Sequence, residues 1–197
     1  MKLDNKLKML VILLLTLFFT NKYYEIYRLF CFFIPLYICF LYIELKPYYS
    51  VYSIVRFQQQ IEWHKKLISI IIEYTYIGAI ILCIDKLIIT NNYNNIVEIC
   101  SIFLVYFLFL SISGMILILP NLSVIRSSIF FIVFFVFARS NIKIFDFLQT
   151  LYDSRKWSMG HGIIKTIVIF IVINVLIYSL YFIFIKIRTE IMSFYEN

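Results

Sequence analysis

The chain has 197 residues and a net charge of +7, and 63% of its residues are hydrophobic, with a mean hydropathy of +0.92. A bilayer core of about 30 Å needs roughly 20 predominantly apolar residues per helical crossing. Apolar runs of that kind recur along the chain, so little length is left for a soluble catalytic or nucleotide-binding domain. The cations flank the apolar runs, as anchors at lipid headgroups do, and form no patch of the kind that binds nucleic acid.

In chain order, the hydropathy pattern predicts an all-α, polytopic membrane helix bundle with six spans, at residues 7–20, 29–43, 67–84, 99–119, 122–138 and 166–185. Residues 1–197 form a single transmembrane domain. The first run follows a basic start like that of a signal peptide, but bulky polar residues stand where a small-residue cleavage site belongs. It is therefore read as an uncleaved first helix. Pro35 is expected to kink the second span. Pro120 and Asn121 stop the fourth. Lys and Arg favour the side holding both termini by a narrow margin, which places both termini and the 44–66 interval in the cytoplasm.

That interval carries Ile54, Phe57 and Ile61 on one helical face, with Arg56 and Trp63 opposite. Glu62 and Lys66 are spaced for an i, i+4 pair. The pattern predicts an amphipathic cytoplasmic helix between spans 2 and 3, presenting Trp63 and Arg56 to a protein partner. The second polar interval, 139–165, places Ile144, Phe147, Leu148 and Leu151 at helical spacing. It predicts an interfacial external segment between spans 5 and 6. Two charges fall inside spans, where charges are costly. Glu73 and Arg126 are both on the inner half and are expected to form a helix–helix pair.

The stretch SIVRFQQQIEWHKKLISIIIEYTYIG resembles the intracellular turn of small six-helix ABC-2-type permeases found beside bacteriocin genes. In that family an Arg, a few polar residues, a Trp and a Lys precede the third span, and Arg56, Trp63 and Lys66 stand in those places. The family's usual basic residue between the Arg and the Trp is replaced by Gln59 or Gln60. The segment WSMGHG before the last span is similar too. The resemblance implies an exporter of an antimicrobial peptide or other amphiphile, built as a homo- or heterodimer of permease subunits in membrane lipid. A separate nucleotide-binding ATPase subunit would drive it, coupled through Arg56, Glu62, Trp63 and Lys66. It also implies that the 139–165 interval forms external re-entrant helices.

The chain's own residues agree with the need for a separate ATPase. It has four glycines, and none lies in a phosphate-cradling loop followed by Lys. Catalytic, cofactor and metal sites are not expected. There is no HExxH pattern, and the two His and four Cys lack the spacing of a nucleophile–base pair or a metal site. A Cys83–Cys100 disulfide between neighbouring span ends is conceivable. The competing readings are a stand-alone immunity or sensor protein that binds a peptide without ATP, and a membrane enzyme with unrecognised residues.

Overall fold

The structure, a computed structural model, describes residues 27–49, 60–90, 96–119, 122–140, 146–149 and 160–195, together with 11 and 151. Nearly all the described residues are helical, and none lies in a strand. Helix α1 (Ile34–Leu45) has a π-helical lead-in, Arg28–Phe33, and a 3-10 tail, Lys46–Tyr49. It is followed by α2 (Gln60–Thr90), α3 (Ile96–Ile118), α4 (Val124–Arg139), the single turn α5 (Asp146–Gln149) and α6 (Gly160–Tyr195).

Among the described residues, four helical stretches are long and apolar enough to cross a membrane: Leu29–Tyr49, Glu62–Lys86, Ile96–Ile118 and Ile163–Phe184. They contain or nearly coincide with the expected spans at 29–43, 67–84, 99–119 and 166–185. The expected span at 7–20 lies outside the described residues. The expected span at 122–138 is helical as α4, but α4 has 16 residues. At 1.5 Å per residue it rises about 24 Å, short of the bilayer core.

Two expectations about the polar intervals change. The described part of the supposed amphipathic helix, from Gln60 onward, is the beginning of α2 itself, continuous with the span. Residues 51–59, Arg56 among them, lie outside the described residues. The segment after α4 does not rest along a surface where it is described. Leu148 and Leu151 are buried, the Leu151 carbonyl accepts from the Tyr106 hydroxyl at 2.8 Å, and Phe147 meets Phe170 edge-on at 5.6 Å.

Pro35 explains the lead-in to α1. Proline has no N–H and its ring crowds the preceding turn. The Ile34 N–H bonds back to the Leu29 carbonyl, five residues earlier, so the mismatch is absorbed as a π-helical turn.

Helices α2 and α3 make the most extensive pair, and α3 and α6 the next. Glycine sets the first of these. A Cβ on Gly78 would come within 2.8 Å of Leu110, and one on Gly114 within 2.6 Å of Ile71 and 3.3 Å of Leu41. Small residues let helix backbones approach in this way where lipid offers no hydrophobic drive. Phe109 packs on Phe170 and Phe131 at 5.8 Å each, joining α3 to α6 and α4 in the core.

Side-chain contacts fix the helix directions. Tyr49, Trp63, His64, Ile118 and Tyr181 gather at one end, here called the Trp63 end. Arg139 lies over the Tyr27 ring, 5.4 Å from its centroid, at the other. Helices α3 and α6 therefore run parallel, and α4 carries the chain back between them.

Candidate functional site

The Trp63 end is built from helix termini, each of which leaves unpaired backbone groups. In a low-dielectric setting those groups must find partners inside the protein. Lys46–Tyr49 ends α1, and the Trp63 indole N–H donates to the Tyr48 carbonyl at 2.7 Å. The Tyr49 ring meets Trp63 edge-on at 5.2 Å. Its hydroxyl donates to the Ile118 carbonyl at 3.4 Å, at the end of α3.

Neighbouring α3 carbonyls are taken as well. The Ser123 N–H donates to Leu117 O at 3.1 Å, and the Arg126 guanidinium donates to Leu119 O. The chain turns here because Leu119 precedes Pro120, which disfavours helix at the residue before it. It re-enters helix behind Ser123, whose hydroxyl accepts from the Arg126 N–H at 3.4 Å, as an N-cap does.

His64 completes the junction. Its Nδ1 shares a hydrogen bond with the Tyr181 hydroxyl at 2.6 Å, and its ring packs against Trp63 at 4.6 Å. This end thus ties α1, α2, α3, α4 and α6 together. Just inside it, the Tyr74 hydroxyl donates to Glu44 at 3.3 Å.

The structure corrects the sequence expectation for Trp63, which is 7% exposed and spent on internal contacts. Glu62 and Lys65 are exposed beside it, and Lys66 is half-buried. Glu62 is also the acidic residue of α2's first turn, where a negative charge suits the helix dipole. Of the two charges expected inside spans, Arg126 is half-buried and turned toward Leu119, while Glu73 is exposed on α2.

A second polar set, missed by the sequence reading, lies midway along the helices. The buried Tyr37 and Thr75 hydroxyls share a hydrogen bond at 2.9 Å, joining α1 to α2. The Ser111 hydroxyl donates to the Asn174 side-chain oxygen, and the Asn174 amide donates to the Leu108 carbonyl at 3.0 Å. Asn174 is the one amide side chain in the run 166–185, a signal that was available in the sequence.

The four cysteines are free thiols, and Cys83 donates weakly to the Ile99 carbonyl at 3.9 Å. No group of three or more His, Cys, Asp or Glu placed to hold a metal occurs among the described residues. The arrangement at the Trp63 end is a mechanical junction, in which several helix ends share one set of hydrogen bonds. Comparison with known families, curated proteins and solved structures finds no match.

Proposed function

We propose that this chain is the transmembrane permease subunit of an ABC-2-type transporter in the cell membrane. It exports an antimicrobial peptide or other amphiphile, and a separate ATPase subunit docks at the Trp63 end. In this reading residues 7–20 and α4 complete six spans, and both termini face the cytoplasm. A second permease subunit completes the transport path.

One observation carries the proposal. Glu62 and Lys65 stand exposed at the start of a helix that runs on unbroken into the membrane. Between them, Trp63 and His64 tie that helix to α1 and α6. A load applied to the exposed pair reaches several membrane helices at once, which is what coupling to a cytoplasmic motor requires. The likeness of residues 53–78 to the bacteriocin-associated permeases supports the same assignment.

The test is co-purification of the tagged chain, from the membrane in which it occurs, with a nucleotide-binding subunit. Wild type is expected to retain that subunit, and Glu62→Ala/Lys65→Ala to lose it along with export or resistance. Resistance that persists with no ATPase partner would instead assign the chain as a stand-alone immunity or sensor protein.

A further inference from the structure

A cleft opens between the π-helical lead-in of α1 and the face of α4. It is lined by Phe30, Cys31, Ile34, Pro35 and Ile38 on one side, and by Ser128, Phe131, Ile132 and Phe135 on the other. Its volume is about 240 Å³, below the roughly 300 Å³ at which sites for drug-sized ligands begin. Its lining is almost wholly apolar. From Ser128 to Phe135 it follows α4 for roughly 10 Å, at 1.5 Å per residue. Cys31, Pro35 and Ile132 are exposed along it, so it opens sideways from the bundle.

The cleft has a polar end. Arg139 lies one helical turn beyond Phe135 and is exposed. It is held over the Tyr27 ring at 5.4 Å, and Tyr27 packs on Phe135 at 5.6 Å. A guanidinium oriented by an aromatic face keeps its outer N–H groups free for a phosphate, which it can bind through two hydrogen bonds.

We infer that this cleft is a binding site for an anionic phospholipid, with one acyl chain lying between α1 and α4 and the headgroup phosphate on Arg139. Three features agree on that occupant. The walls offer almost no hydrogen-bonding groups, so the buried part of the ligand is hydrocarbon. The small volume, about 240 Å³ spread along roughly 10 Å of α4, suits one acyl chain. Arg139 stands exposed at one end, as a headgroup at the membrane surface requires, whereas Arg126, near the other end of α4, is half-buried and turned to the Leu119 carbonyl. The π-helical turn widens the helix at this point, and π-bulges frequently mark functional sites. The inference does not depend on an ATPase partner.

Native mass spectrometry of the purified full-length chain tests it, with phosphatidylglycerol and phosphatidylcholine of identical acyl chains as probes. Wild type is expected to retain phosphatidylglycerol about fivefold more than phosphatidylcholine, the worth of one basic residue at a membrane surface. Arg139→Gln should remove that preference while leaving chain binding in place. Ile132→Trp should fill the cleft and lower the retention of both lipids. Ile132 is 62% exposed, so the larger side chain leaves the fold undisturbed. Equal retention of the two lipids by wild type, or undiminished retention by Ile132→Trp, would overturn the site.

Discussion

Asn174 and Ser111, 63 residues apart in the chain, are hydrogen-bonded to each other across the α3–α6 interface. The span in α6 is only 11% buried, so apolar packing alone defines its position poorly. The pair and the Asn174–Leu108 bond set its depth and rotation against α3.

Asn174→Leu is accordingly expected to cost about 1–2 kcal/mol, the upper range for interhelical hydrogen bonds in membranes. Unfolding of the purified protein by SDS in mixed micelles measures it. Ser111→Ala should cost less, and the double variant less than the sum of the two, because they share one bond. Strict additivity would show that the Ser111–Asn174 bond contributes nothing and that Asn174 acts through its other contacts.

Gly114→Ala should destabilise the bundle by about 1–3 kcal/mol, the usual range for overpacking. Alanine favours helix over glycine by up to about 1 kcal/mol, but its methyl would meet Ile71 at 2.6 Å. The clash outweighs the propensity gain. Ile71→Ala in the same chain removes the obstructing carbon, so the double variant should be more stable than the two single losses predict.

Trp63→Ala should lower the yield of folded protein, in line with about 3–5 kcal/mol for truncating a buried Trp. Glu62→Ala and Lys65→Ala, both exposed, should each change stability by no more than about 0.5 kcal/mol. Size-exclusion profiles and thermal melts of the three variants separate these outcomes. A Trp63→Ala variant as stable as wild type would mean that the Tyr48 and Tyr49 contacts contribute little.

Topology is tested by a single Cys at Ser154, a position outside the described residues, in a chain lacking the four native thiols. Six spans with cytoplasmic termini predict modification by an impermeant maleimide from outside intact cells. Modification only after permeabilisation would overturn that topology.

The apolar runs located α1, α2, α3 and α6, although 29–43 alone is short of bilayer length and Glu73 and Asn174 interrupt two of the others. They understated the helices: α2 runs over Gln60–Thr90 against an expected 67–84, and α6 over Gly160–Tyr195 against 166–185. Hydropathy reports where lipid is met, whereas backbone hydrogen bonding continues past it. The orientation of Trp63 was misread for a different reason. Its partners Tyr48 and Tyr49 lie in the preceding helix, and helical periodicity within 51–66 carries no information about them. The close approaches at Gly78 and Gly114 likewise depend on which helices become neighbours, which no local pattern encodes.

The parallel packing of α3 and α6 also sets the order in which the protein is made. Helices α2 and α3 are sequence neighbours and can pair as soon as both have been inserted. The partner of Ser111 is synthesised 63 residues later, which at about 5–20 residues per second takes roughly 3–13 s. Through that interval α3 lacks the Asn174 amide, and the Ser111 hydroxyl can turn only to the Leu108 carbonyl of its own helix, at 2.8 Å. The α3–α6 contact is thus a late one, formed only after the rest of the α3 surface has already met lipid or its earlier neighbours.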